Sequence, residues 1–175
     1  TSTLWAMGLT QHATGTDIVA SLLNLLLACG MIGRWGAAML PIRGQNNVQG
    51  ATDMCTPDKL PGYQLFSDQK AVEKFENAWG VTLNKKPGNT SPTMFERMHK
   101  GEFKALYVIG EDPIMSEPNQ DYTIKGLKNL ELLVVQDIFM SETAHYADVI
   151  LPATSFAEKD GTFTNTERRV QRVRK

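Results

Sequence analysis

Three short apolar runs in the second half of the chain constrain the fold most. They are KALYVIG, which starts at Lys104, ELLVVQD (Glu131 to Asp137) and DVILPA (Asp148 to Ala153). Each is rich in Val, Ile and Leu and ends at Gly, Asp or Pro, so each reads as a buried strand. Between them, Tyr122 to Asn129 suits a short helix, and SETAHYA (Ser141 to Ala147) reads as a capped helical turn. Strand, helix, strand, helical turn, strand is the pattern of a right-handed parallel α/β unit. The expected fold is a three-layer α/β/α domain with a mostly parallel sheet.

The rest of the chain is less regular. LWAMG (Leu4 to Gly8) reads as another buried strand, followed by a polar loop with Gly15. Thr16 and Asp17 are expected to cap the helix that follows. That helix, IVASLLNLLLACG, is apolar almost all round and stops at Gly30. It is too short for a bilayer, which needs about 20 residues, so it is expected at the centre of a core. Residues 31–89 are punctuated by Gly and Pro, with one helix expected from Asp68 to Trp79, its Val72, Phe75 and Trp79 on one face. A loop-rich stretch of that length implies a task, such as wrapping a ligand or packing on other parts of a protein. The tail FTNTERRVQRVRK alternates like an edge strand.

Composition narrows the function classes. With 175 residues, 42% hydrophobic and 21% charged, the chain has the makings of a globular domain. A formal net charge of −1 gives no global attraction to nucleic acid or to an anionic membrane. The five Arg and Lys residues from Arg168 to Lys175 read as a solvated face, with contact to cofactor phosphates as the sharper alternative. Cys29 and Cys55 have neither zinc nor iron–sulfur spacing and form no disulfide framework. A reduced, cytoplasmic setting follows as the default. TSTLWAMGLT lacks the marks of a signal peptide. Both ends read as cut, so the chain is expected to be an internal fragment.

Polar clusters stand where strands end. GLTQH follows LWAM, GEDP follows LYVI, QD follows LLVV, and PATS with EKDGTFTN follows DVIL. In an open parallel sheet, ligands bind beyond those carboxyl ends, so the four loops are expected to form one rim. Neither GxGxxG nor GxxxxGK[ST] is present, which removes the usual dinucleotide and P-loop readings. A carboxylate can accept two parallel N–H bonds from guanine but not from adenine, making Asp112 and Asp137 candidate guanine readers. The plainer reading of Asp112 is a turn cap before Pro113.

PIRGQNNVQG (Pro41 to Gly50) is an arginine-led loop crowded with amides, which are costly to bury unless each finds a partner. Together with MGLTQHATG, YVIGEDPIMSEPN and ADVILPATSFAEKDGTFTN, it resembles the molybdopterin oxidoreductase family, and RGQNNVQG in particular the catalytic subunits of molybdenum- or tungsten-dependent formate dehydrogenases. The likeness runs from Met7 to the last residue and is weakest from Gly62 to Lys104. It implies the middle-domain fold of the formate dehydrogenase and dimethyl sulfoxide reductase type. It also implies that residues 1–43 end one half-domain and that residues 44–175 belong to the part that binds molybdopterin guanine dinucleotide.

By the same resemblance, Arg43 sits beside the metal, where it orients formate and stabilises its charge. A planar guanidinium matches a carboxylate bidentately. Gly44, Gln45 and their neighbours hold the pterin, since amides supply both donor and acceptor. Met7, Gly8 and Gln11 line the cofactor at the first strand end. Gly110, Glu111 and Asp112 approach its guanosine end, and Gln136 and Asp137 form the next wall. Asp160, Gly161, Thr162 and Asn165 approach from the last loop, Gly161 allowing close backbone approach. No metal ligand is expected here. The cysteine or selenocysteine ligand, the iron–sulfur cluster of an N-terminal region and a C-terminal clasping domain belong to parts of the chain outside this sequence. The partners implied are formate, electron-transfer subunits and those missing domains, with no nucleic acid and no membrane span. The isolated fragment is expected to be inactive.

Two alternatives remain open at this point: another molybdopterin oxidoreductase, such as a nitrate reductase, or a non-catalytic nucleotide-binding module. Cys29, in the apolar helix, and Cys55 read as small hydrophobes or idle thiols. His12 adjoins the cofactor motif, His99 reads as a solvated helix end and His145 as packed or capping, none of them a metal ligand.

Overall fold

A computed structural model describes residues 2–54 and 56–175. Cys55 lies outside the described residues. The chain divides into two compact units, Thr1–Asp53 with Thr162–Arg172, and Met54–Gly161 with Val173–Lys175.

The first unit opens with β1 (Thr3–Trp5), a short helix α1 (Met7–Thr10) and α2 (Gly15–Ala28), and continues with β2 (Met39–Pro41) and α3 (Val48–Met54). β1 and β2 pair in parallel, Trp5 opposite Pro41. The Ile42 amide extends the ladder by donating to the Trp5 carbonyl at 2.7 Å. The run expected as one buried strand is therefore split. Only Thr3–Trp5 is extended, Met7 and Gly8 are helical, and Leu4 faces outward.

α2 ends as expected, with Gly30 in the left-handed region at φ 61°. Two expectations for it fail. Thr14 takes the N-cap position without a side-chain bond, and Asp17 falls in the first turn, where it faces the helix dipole. Nor is the helix buried, since only Gly15 and Leu26 are, while Leu25 and Leu27 are exposed and Cys29 is an exposed free thiol. Apolar composition set the helix, but no described residue covers most of its surface.

The second unit begins with a small hairpin, β3 (Lys59–Leu60) and β4 (Gln64–Leu65). α4 (Gln69–Trp79) follows, capped by the Asp68 side chain, which accepts from the Lys70 amide at 3.0 Å, and closed by Gly80 at φ 67°. Val72 is fully buried with Leu60 and Ala71, and Phe75 packs beside them, its ring 4.9 Å from that of Trp79. Then come α5 (Ser91–His99), β5 (Ala105–Ile109), the short α6 (Pro113–Ser116), α7 (Gln120–Lys128), β6 (Leu132–Asp137) and β7 (Val149–Pro152).

β5, β6 and β7 form a parallel sheet in that order. The fold is thus mixed α/β with parallel sheets. On one face of the larger sheet, Val108, Leu133 and Val135 pack with Phe95 and Met98 of α5, Ile114 of α6 and Leu127 of α7. The opposite face carries Tyr107, Ile109, Leu132, Val149 and Leu151, all exposed. Asp148 anchors the start of β7, accepting from the Leu133 amide at 2.7 Å.

β8 (Gly161–Thr164) and β9 (Val170–Val173) form a closing hairpin. Its turn is held by the Asn165 side chain, which accepts from the Arg169 amide at 2.9 Å, and by Arg168 in the left-handed region at φ 59°. The tail is therefore two strands rather than one.

Candidate functional site

The four strand ends singled out by sequence belong to two sheets rather than one, because β1 pairs with β2 and not with β5–β7. In the first unit, parallel pairing puts the segment after β1, with Met7 and Gly8 in α1 and then Gln11, next to the loop after β2, with Arg43, Gly44 and Gln45. In the second unit, Ile109 lies opposite Gln136, and Gln136 opposite Leu151, so GEDP, QD and PATS leave from adjacent strand ends. The Gly110 amide donates to the Gln136 carbonyl at 2.9 Å, and the Ala153 amide to the Asp137 carbonyl at 2.9 Å.

A polar cleft lies in the first unit. It has a volume of about 220 Å³ and is lined by Ile42, Arg43, Gln45, Asn46, Val48 and Gln49 together with Thr164, Asn165 and Thr166. Two stretches more than a hundred residues apart thus meet there. Arg43 is exposed and makes no ion pair or hydrogen bond among the described residues. Its guanidinium is free to receive an anion, and no carboxylate lines the cleft. α3 holds the loop from behind. The Asn47 carbonyl takes the Ala51 amide at 3.0 Å, Thr52 donates to the Val48 carbonyl at 2.7 Å, and Gln49 donates to Asp53 at 2.8 Å. Sequence reasoning read this segment as loop. The signal it missed is the spacing of Val48, Thr52, Gln49 and Asp53, four apart in pairs as a helix requires.

At the rim of the second unit, the Asp112 carboxylate is bonded within the chain. Its Oδ1 accepts from the Thr143 hydroxyl at 2.6 Å and the Thr143 amide at 3.1 Å, and its Oδ2 from the Glu142 amide at 3.0 Å. Thr143 is fully buried, and its hydroxyl accepts in turn from the Ile114 amide at 3.2 Å. Three of the four acceptor positions on the carboxylate are thus filled from within the chain. Asp112 is a cap, but of the helical turn Thr143–Tyr146 rather than of the turn before Pro113. Partial burial pushes the carboxyl up. The Thr143 hydroxyl and the Glu142, Thr143 and Met115 amides outweigh it, and the carboxyl titrates below its ordinary range.

Asp137 is half-buried, and one of its oxygens accepts from the Ile138 amide at 2.6 Å. The Gln136 side-chain carbonyl accepts from the Tyr107 hydroxyl. Gly110 sits at φ 63° with open space where a Cβ would stand. Glu111, Asp160, Gly161 and Thr162 are exposed. Glu158 and Ser155 form a reciprocal cap ahead of them, and the Ser155 amide holds the Glu158 carboxyl below its usual range.

A larger cleft of about 350 Å³ lies between α5 and β5 and includes Glu111, but Met94, Phe95, Met98 and Ile109 give it an apolar lining without clustered donors. His12 bonds the Gly8 carbonyl at 2.8 Å, and His145 is exposed rather than packed. His99 is not a freely solvated end. Its ring stacks on Tyr122 at 3.9 Å, and its Nε2 donates to the Tyr122 carbonyl at 2.9 Å, tying α5 to α7. Among the described residues, no three His, Cys, Asp or Glu side chains stand close enough to hold a metal ion. Among the described residues, no helix is long and apolar enough to cross a membrane.

Comparison with known proteins assigns these loops to a family. The profile of the molybdopterin oxidoreductase family matches residues 2–175. The chain belongs to the molybdopterin oxidoreductases. It is 53% identical over 99% of its length to the putative formate dehydrogenase YrhE of Bacillus subtilis, of which it covers 18%. It is 51% identical to the F420-dependent formate dehydrogenase subunit alpha of Methanocaldococcus jannaschii, covering 26% of that chain. A probable oxidoreductase, YjgC of Bacillus subtilis, is 50% identical and is covered to 17%. The chain thus spans about a sixth to a quarter of the length of these relatives. Family membership implies a molybdopterin cofactor.

Proposed function

We propose that this chain is part of the catalytic subunit of a formate dehydrogenase, oxidising formate to carbon dioxide at a molybdenum or tungsten centre held by two pterin guanine dinucleotides. The observation that carries this reading is the unpaired Arg43 guanidinium in a cleft shared with Gln45, Asn46, Gln49 and Asn165. The formate dehydrogenase names of several relatives support the choice of substrate.

The donor set suits a pterin. Amides and hydroxyls present donors and acceptors together, as a ring system with alternating N–H and carbonyl groups requires. Gln45, Asn46, Gln49 and Asn165 would hold that ring, with Met7, Gly8, Gln11 and Gly44 along the rim beside them. Gly110, Glu111, Gln136, Asp137, Asp160, Gly161 and Thr162 would approach the guanine dinucleotide ends. In this reading Asp137 is the guanine reader, while Asp112 holds the neighbouring turn. When bound, the metal–pterin group accepts the two electrons that formate loses.

Formate oxidation yields carbon dioxide, one proton and two electrons. Arg43 offers two parallel N–H donors to the carboxylate, which fixes the substrate and turns its C–H bond away from the guanidinium. Such a pair is worth roughly 4 kcal/mol at 4 Å and an effective dielectric near 20, before desolvation. As the C–H bond breaks, negative charge leaves the carboxylate and the product is neutral. Arg43 therefore grips substrate more tightly than product, which makes it a binding and orienting group more than a transition-state stabiliser. No lining side chain is a carboxylate or an imidazole, so the proton acceptor lies elsewhere.

Electrons would leave through the pterin to an iron–sulfur centre and partner subunits, in a cytoplasmic setting. The test uses the full-length protein with dye acceptors. Formate-dependent reduction of methyl viologen is the expected result. Nitrate-dependent oxidation of reduced viologen without formate turnover would overturn the reading in favour of an oxyanion reductase.

A further inference from the structure

We infer that Asn47 is a positioning residue that locks the Arg43 loop to the strand carrying Asn165. It does not itself line the cleft. Its Oδ1 accepts from the Thr164 backbone amide at 3.1 Å, a bond spanning 117 residues of sequence. Thr164 is only 9% exposed, so its N–H has little access to water and depends on this acceptor. The side chain also has a defined seat. A Cβ built on Gly50 would stand 2.2 Å from Asn47 Oδ1 and 3.1 Å from its Cγ. Gly50 is a helix residue without positive φ. Its missing side chain therefore serves the amide it faces, not the backbone.

The bond joins the two stretches of the cleft. Asn46, one residue before Asn47, and Asn165, one residue after Thr164, both line it. The Asn47 main chain meanwhile starts α3 by accepting from Ala51. One residue thus fixes the helix that backs the loop and the strand that faces it. This rests on the proposed role of Arg43. If that role holds, loosening Asn47 shifts the loop and alters where formate sits while every lining residue keeps its identity.

The test compares Asn47→Leu, Asn47→Asp and Gly50→Ala in the full-length protein by hydrogen exchange at the Thr164 amide and by steady-state kinetics with formate. Leu fills the space without an acceptor, whereas Asp keeps the acceptor. Asn47→Leu is expected to speed Thr164 exchange about tenfold, the factor an ordinary intramolecular hydrogen bond supplies, with amides of the Val135 strand unchanged. Its formate KM should rise several-fold with kcat within about twofold. Asn47→Asp should stay near wild type in both. Gly50→Ala should behave like Asn47→Leu, although helix propensity alone favours Ala. Unchanged exchange in both Asn47→Leu and Gly50→Ala, or Asp as damaging as Leu, overturns the inference. If Asn47→Leu fails to fold, the Gly50→Ala exchange rate decides. If the wild-type protein does not oxidise formate, the functional reading falls and Thr164 exchange alone decides the tie.

Discussion

Asp112 and Thr143 form a closed relay: a carboxylate takes the Thr143 hydroxyl, and that hydroxyl takes the Ile114 amide. Thr143→Val keeps the shape and removes both bonds inside the core, and should cost on the order of 1–3 kcal/mol in urea unfolding. The relay is also pH-dependent. The folded Asp112 carboxyl titrates below its unfolded value of about 4, so its contribution is complete above that pH and fades as acid protonates the folded group. The stability gap between wild type and Asp112→Asn should be widest near neutrality and close below about pH 4. A gap that grows in acid would contradict this. Close approach shows at Gly15 as well, where an added Cβ would stand 2.2 Å from the Thr10 carbonyl oxygen. Gly15→Ala should lower the melting temperature, at roughly 1–3 kcal/mol, because backbone cannot step aside cheaply. Sequence reasoning placed Asp112 at the rim but did not find its partners within the chain. The carboxylate's partners, Glu142 and Thr143, lie thirty positions away, and no local pattern records them.

At the scale of elements, the apolar runs of the second half predicted β5, β6 and β7, because Val, Ile and Leu run together there between clear stops, and α7 and the turn before β7 were legible between them. α2 was legible as a helix but not in its burial, since an apolar surface does not name what covers it. α3 was hidden because its amides look like loop residues until their four-residue spacing is counted. The larger sheet is packed on one face only, and this asymmetry is measurable. Leu133→Ala, at a site 2% exposed, should cost about 2–5 kcal/mol. Leu151→Ala, on the open face, should cost about 0.5 kcal/mol or less in this chain. Equal losses at both positions would mean that the outer face is covered.

At the scale of the molecule, two units each present polar loops at the carboxyl ends of short parallel strands. The cofactor class was legible because the RGQNNVQG and GEDP blocks are dense and contiguous. What assembles the cleft was not, because Thr164–Thr166 reach Arg43–Gln49 only through the fold. The central claim is that Arg43 receives formate. The most direct test is Arg43→Lys in the full-length enzyme, with cofactor content measured beside formate kinetics. Lys keeps the charge and loses the planar fork. With cofactor content unchanged, the account predicts that kcat/KM falls roughly 100-fold, most of it as a higher KM. Formate kinetics indistinguishable from wild type would contradict it.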